Sequence, residues 1–281
     1  MVEKSKLVAL TEVSLTYPAG NTPVDRVSLD IFGSETVALV GANGSGKSTL
    51  LKMIAGYISP TDGDLRLENV PIKDFNERML NDLMAFVEQN PEKQLIGPTV
   101  EDELARNCRM MGLKGKDIDN TDTQVLQEVS LSFAREWFLN EISLGELRRV
   151  SLGLALLGKP KLLLLDEPFS DLDNNGKEVT KAIINKYKNR GGSVIIVTKD
   201  MNDVLTLSDR IGLFQDGKLT ALDKPSVMVK NKAALGKSDV IEPVIASLCL
   251  QLENQRLLTF DTCPLSLDEA VAALQKALEP K

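Results

Sequence analysis

Three short stretches of the chain hold residue types that could do chemistry together. The first is Gly41-Ala42-Asn43-Gly44-Ser45-Gly46-Lys47-Ser48-Thr49. It follows the apolar run "TVALV" and leads into a segment of helical spacing that stops at Gly56. Glycines at such a junction let a loop turn so that its N–H groups converge on a phosphate at the helix N-terminus. In that pattern Lys47 is placed to reach β- and γ-phosphates, and Ser48 to ligate Mg²⁺. The plain alternative is a glycine-rich turn, and the strand before and helix after weigh against it. The second stretch is "LLLLDEPFSDLD", an apolar strand ending in Asp166-Glu167. One carboxylate can hold Mg²⁺ through water, and the next can polarise an attacking water. Alone, two acids after a strand more often cap a helix; a phosphate loop in the same chain reverses those odds.

The third stretch is "SVIIVTKDM", residues 193–201. Val194, Ile195, Ile196 and Val197 read as a central parallel strand covered on both faces. Ligands of open α/β sheets sit just beyond the carboxyl ends of the strands, so Lys199 is expected at the site. The chain contains no histidine. Any proton transfer near neutral pH must work without imidazole.

The elements that position these residues are legible in outline. Residues 7–40 alternate in strand-like bursts separated by turn signals such as "PAGNTP" and "FGS". Residues from about 92 to 156 are helical and more polar. The strands "KLLLLDEP" and "SVIIVT" flank a helix at about 176–189, and "RIGLFQDGKLTA" reads as a hairpin. The segment 223–281 reads as an appended helical unit. In it Ser266 and Glu269 form a capping box, followed by an apolar stripe of Leu267, Val271, Leu274 and Leu278.

A chain of 281 residues suits one large α/β domain with an appendage, or two domains. Its 43% apolar and 26% charged residues are those of a globular protein. A net charge of −7 argues against a general nucleic-acid or anionic-membrane surface, but not against a nucleotide bound by local amides and a few cations. Cys108, Cys249 and Cys263 lack metal-type spacing and read as reduced packing residues. The N-terminus has no signal-peptide pattern, and no apolar run approaches the ~20 residues that span a bilayer. Work at a membrane would need another subunit.

Together these residues resemble the ATP-binding cassette (ABC) ATPases, through nearly the whole chain. The resemblance implies an α/β fold: a P-loop nucleotide-binding domain over residues 1–222 with a mixed sheet core and a helical subdomain at about 92–156, then a helical extension over 223–281. It implies ATP and Mg²⁺ as cofactors, with Asp166, Ser48 and Gln89 toward the metal and Glu167 as the catalytic carboxylate. Tyr17, 24 residues before Gly41, matches the aromatic that stacks on adenine; a strand tyrosine is the alternative. Gln89 matches the glutamine that links metal and water to the membrane partner, and Asp173 the acidic residue of the loop crossing the dimer. "ISLGELRRV" stands where the family has its leucine-serine-glycine-glycine-glutamine signature, which reaches the ATP of the other subunit. "QNPEKQ" and the tail look like the ATPases of energy-coupling factor importers for vitamins and transition metals. In that group the tail helps dimerisation.

The sequence also departs from the family. Lys199 stands where the family carries a histidine contacting γ-phosphate and the catalytic glutamate. Lysine has three donors and no acceptor; it can hold phosphate or pair with Glu167. Ser143 and Gly145 of the signature remain, while Leu144 replaces a glycine and Glu146 the glutamine. A carboxylate near triphosphate repels it unless it points away or Arg148 or Arg149 neutralises it. In a homodimer both defects fall in both sites; in a heterodimer each site contains one. The expected role is therefore the ATPase of an energy-coupling factor type importer, peripheral on the cytoplasmic face of the membrane. Its expected partners are a second, different cassette, an integral membrane coupling subunit and a substrate-binding membrane subunit. The alternative is a largely non-hydrolysing dimerisation partner. A soluble cassette on ribosomes or DNA is disfavoured by the acidic balance.

Overall fold

The computed structural model describes residues 5–91, 94–235, 240–241, 243–260 and 262–278. One sheet is antiparallel. It contains β1 (Lys6–Leu15), β2 (Val24–Phe32), β4 (Asp62–Leu67) and β5 (Val70–Pro71) in the order β2-β1-β4-β5. The other holds β3 (Thr36–Val40), β6 (Met84–Val87), β7 (Leu162–Asp166), β8 (Ser193–Thr198), β9 (Arg210–Gln215) and β10 (Lys218–Asp223). Its order is β10-β9-β3-β8-β7-β6, parallel except for the β9–β10 pair. The chain thus has the expected mixed α/β architecture. At the β9–β10 hairpin, Asp216 and Gly217 have φ of 47° and 79°, the positive values that a two-residue hairpin turn of matching twist requires.

The central strands are apolar at nearly every position because both faces are covered. Val37 and Leu39, Leu162 and Leu164, and Ile195 and Val197 join one core. That core also holds residues of the antiparallel sheet and Leu50, Leu51, Met53 and Ile54 of α1 (Lys47–Ile54). The alternate residues Ala38 and Val40, Leu163 and Leu165, and Val194 and Ile196 join a second core with residues such as Leu104, Val125, Leu152 and Ile184. Successive strand side chains point to opposite faces, so each strand serves both cores.

α2 (Glu77–Leu83) leads into β6. Between β6 and β7 lie α3 (Val100–Met110), α4 (Lys116–Glu128) and α5 (Leu144–Leu157). They pack on one another through apolar stripes such as Val100, Leu104 and Cys108. α6 (Asn174–Asn189) returns the chain from β7 to β8. After β10 come α7 (Pro225–Met228), α8 (Lys232–Leu235), α9 (Val244–Asn254) and α10 (Leu267–Leu278).

α9 buries Ala246, Cys249 and Leu250. At α10, Ser266 Oγ accepts the Glu269 N–H at 3.2 Å, but the Glu269 carboxylate accepts from Leu265 N–H at 2.8 Å, one residue earlier than in a capping box. The apolar stripe of α10 is exposed at Leu267 and Val271; the side chain of Leu278 lies outside the described residues. All three cysteines are free and buried. No helix among the described residues is long and apolar enough to cross a membrane.

Candidate functional site

The three stretches of interest leave the carboxyl ends of adjacent strands, β3, β8 and β7. Register sets Val40 beside Thr198, and Asp166 beside Val197. The ladder then runs one residue past the strands: Gly41 N–H donates to the Thr198 carbonyl at 3.2 Å, and Glu167 N–H to the Val197 carbonyl at 2.9 Å. Gly41, Thr198 and Glu167 are thereby fixed side by side, at the place where open α/β sheets bind ligands.

The glycine loop is shaped by its own chain as well as by the turn. Gly46 has φ 106°, and a Cβ there would lie 1.8 Å from the Pro23 carbonyl oxygen; at Gly41 it would lie 2.0 Å from that of Phe214. No other residue fits either position. Lys47 is buried, and its Nζ donates to the carbonyls of Gly41 and Ala42, both at 2.8 Å. Burial lowers its pKa, opposed by the charges of Glu167 and Asp166. Ser48 Oγ donates to Asp166 Oδ1 at 3.0 Å. This pairs a hydroxyl and a carboxylate, an oxygen donor set suited to a hard cation. Burial raises the pKa of Asp166, against the Ser48 hydrogen bond and the Lys47 charge.

Glu167 has φ 49°, a left-handed turn that swings its side chain back over β8. Its Oε2 accepts from the Thr198 hydroxyl at 3.0 Å. Burial raises its pKa; the Thr198 bond and the Lys47 charge oppose that. Thr198 was overlooked on sequence grounds although it adjoins Lys199. Its hydroxyl also accepts the Asp200 N–H at 3.2 Å. The signal was a buried hydroxyl ending an otherwise apolar strand.

The ion pair considered between Lys199 and Glu167 does not form. The Lys199 side chain is exposed, and its ammonium makes no salt bridge among the described residues. Gln89 is exposed, and its carbonyl accepts from Arg148 Nη2 at 3.3 Å. Gln94 braces the same loop by accepting from Glu88 N–H at 3.2 Å and donating to the Phe86 carbonyl at 3.1 Å. Glu92 and Lys93 lie outside the described residues.

At the start of α5, Ser143 is the N-cap and Glu146 completes a capping box. Both the N–H and the Oγ of Ser143 donate to Glu146 Oε2 at 2.7 Å. The carboxylate is thus satisfied by its own helix, and the expected neutralisation by Arg148 is not seen. Arg148 is buried and faces the other way. It donates to the carbonyls of Glu167 and Ser170, to Ser170 Oγ and to Asp171. Arg149 donates to the carbonyls of Val129 and Ser130, at 3.1 and 3.2 Å, and feels the Glu146 charge only through space. Leu144 is exposed, and Gly145 abuts Leu172. Asp173 caps α6, its Oδ1 accepting the Gly176 N–H at 2.7 Å. Tyr17 lies past the end of β1, in a turn closed by Gly20 N–H on its carbonyl at 2.8 Å. It is not a strand residue, and its ring is 40% exposed. Lys47, Ser48, Asp166, Glu167 and Thr198 therefore form one cluster. Tyr17 and the Ser143–Glu146 turn make no hydrogen bond to it among the described residues.

The family profile described as "ABC transporter" matches residues 24–170. The chain belongs to the ABC transporter family. It binds ATP as an ATPase coupled to transport. A putative ABC transporter ATP-binding protein of Methanocaldococcus jannaschii is 30% identical over 98% of this chain and 99% of its own length. The energy-coupling factor transporter ATP-binding protein EcfA1 of Mycoplasmoides gallisepticum is 30% identical over 90% of this ABC ATPase and 91% of its own length. Among solved structures, cbiO1 of Clostridium perfringens, described as part of the ABC transporter complex cbiONQ, superposes with a TM-score of 0.76. It covers 90% of this chain and 98% of its own, at 24% identity, and so supports the fold.

Proposed function

We propose that this ABC ATPase energises an energy-coupling factor type importer for a vitamin or a transition metal, on the cytoplasmic face of the membrane. The observation that carries the reading is the Lys47–Ser48–Asp166–Glu167–Thr198 cluster at adjacent strand ends, in a chain whose full-length relatives include energy-coupling factor ATPases. The loop amides of Gly41–Thr49 and Lys47 bind the phosphates, and Tyr17 stacks on adenine. Ser48 and Asp166, with Gln89, would hold Mg²⁺, which neutralises phosphate charge when bound. Among the described residues no group of three acidic, cysteine or histidine side chains converges. That suits a cation sharing its shell with nucleotide oxygens. Glu167 accepts a hydrogen bond from the attacking water and takes its proton.

Residues 1–222 act as the cassette and 223–281 as an extension that joins a second cassette; exposed Val244, Leu248, Leu267 and Val271 favour this. The loop from Gln89 to Thr99 docks a segment of an integral membrane subunit that works with a substrate-binding membrane subunit. Supporting this, Thr99 bridges Phe138, and Ile96, Phe133, Trp137 and Phe138 are exposed around it.

A heterodimer with one slow site fits the altered signature. The Glu146 lock on Ser143 favours a second reading, a nucleotide-dependent dimerisation partner that barely hydrolyses. Calorimetry and turnover, alone and with a co-expressed second cassette, test both. Lys47→Ala should abolish measurable ATP binding. Unchanged affinity would remove the site. Turnover of the pair that ignores Glu167→Gln would favour the second reading.

A further inference from the structure

We propose that the C-terminal extension holds the catalytic centre in place, with Ile241 and Asn202 acting as positioning residues for Glu167 through the Lys199–Asp200 peptide group and the Thr198 hydroxyl. The inference rests on the reading of Glu167 as the carboxylate that accepts the water's proton. Glu167 Oε2 accepts from the Thr198 hydroxyl, and that hydroxyl accepts the Asp200 N–H at 3.2 Å. The other end of that peptide group is the carbonyl of Lys199, and the tail holds it. That carbonyl accepts the Ile241 N–H at 3.1 Å, and the Ile241 carbonyl accepts the Met201 N–H at 3.4 Å. Asp200 and Ile241 thereby form a short parallel bridge.

Asn202 fastens the same junction. Its N–H and Nδ2 donate to Asp200 Oδ1 at 2.9 and 2.8 Å, and its Oδ1 accepts the N–H of Val244, the first residue of α9, at 3.1 Å. Beneath the bridge, Met201, Val240 and Ala246 are buried in one cluster.

The peptide group between Lys199 and Asp200 is therefore pinned at both ends. Its N–H donates to the Thr198 hydroxyl that holds Glu167, and its carbonyl accepts from the tail. Freeing the carbonyl lets the group rotate and loosens the hydroxyl. The exposed lysine side chain takes no part in this. The site can keep its carboxylate in register without an imidazole because the Thr198 hydroxyl, braced by the backbone and the tail, does the holding.

The test separates backbone from side chain at one position. Ile241→Pro removes the N–H that reaches Lys199, whereas Ile241→Ala keeps it and trims a side chain that is 45% exposed. In the full chain with Mg-ATP, Ile241→Pro should lower kcat by roughly 10–100-fold, the scale of a misplaced catalytic group. KM and Kd for ATP should change less than about twofold, because the phosphate loop is untouched. Amide exchange at Asp200 should become faster, and Ile241→Ala should match the parent in every respect. Asn202→Ala, which keeps the chain free of a new proline, should give the same split with a smaller loss.

Parental kcat and parental Asp200 protection in Ile241→Pro would overturn the proposal. So would equal losses in the proline and alanine variants, or a loss that disappears at high protein concentration, since the tail would then act through association. Glu167→Gln is measured alongside. If it hydrolyses at the parental rate, the functional reading fails, and Asp200 exchange still decides whether the tail holds that segment.

Discussion

Arg148 offers a quantitative test of how the site is held. It is a buried charge on α5, and its side chain is 8% exposed. Its guanidinium ties the helix to the Glu167 carbonyl at 3.1 Å, to Ser170 Oγ at 2.5 Å and the Ser170 carbonyl, to the Gln89 carbonyl at 3.3 Å and to Asp171 at 3.2 Å. Asp171 is 69% exposed, so that ion pair contributes at most about 1 kcal/mol. The weight falls on the loop acceptors, at roughly 1.5–3 kcal/mol per hydrogen bond to a charged donor. Burial, which pushes the Arg148 pKa down, offsets several kcal/mol of that. Arg148→Met should therefore cost about 2–4 kcal/mol in the assembled fold. For a chain of this size that is a fall in Tm of roughly 5–15 °C by scanning calorimetry. Asp171→Asn should stay within about 0.5 kcal/mol. Arg148→Lys should fall near Arg148→Met, because a point charge cannot span two loops. The reasoning is refuted if Asp171→Asn costs as much as Arg148→Met, or if Arg148→Met melts with the parent.

Two further outcomes follow from the charges. Burial raises the folded-state pKa of Glu167, so the ionised carboxylate destabilises the fold above that pKa and is harmless below its ordinary value of about 4.3. Glu167→Gln should raise Tm at pH 8 and lose that gain as pH falls toward about 4; parental turnover should have its acid limb above the ordinary glutamate range. No gain in Tm at pH 8 would count against a burial-dominated site. Glu146→Gln keeps a capping-box side chain but removes the carboxylate that engages the Ser143 hydroxyl. Stability should shift by less than about 0.5 kcal/mol, while ATP-dependent association with a partner cassette, followed by light scattering, should tighten. Unchanged association would show that Glu146 does not face nucleotide.

Much of this was legible in residue order. Val37–Val40, Leu162–Leu165 and Val194–Val197 announce strands buried on both faces, and each is followed at once by the polar residues of the site. The "QDG" turn announces its hairpin because Asp216 and Gly217 accept positive φ. Less was legible where one residue type serves two physical ends. Arg148 and Arg149 are adjacent, yet one enters the site loops and the other binds the end of α4, a difference set by the 100° step of a helix. Glu146 reads as a charge aimed at phosphate, but three residues after a serine it is also a capping partner. Asp173 reads as a dimer-crossing acid and is here a helix cap.

Lys199 shows why a motif position and a chemical role separate. Sequence compares side chains, and by that comparison a histidine has been lost and a cation gained. The backbone at the same position carries a different load. Its carbonyl accepts the Ile241 N–H, and the N–H of the same peptide group, on Asp200, donates to the Thr198 hydroxyl that holds Glu167. A chain without histidine can keep a positioned carboxylate because the strand end, the Thr198 hydroxyl and the tail fix it from three directions. What the backbone cannot supply is a group that both accepts and donates a proton near neutral pH. In the proposed reading the burial-raised carboxylate of Glu167 takes the water's proton, and the acid limb of turnover should follow it.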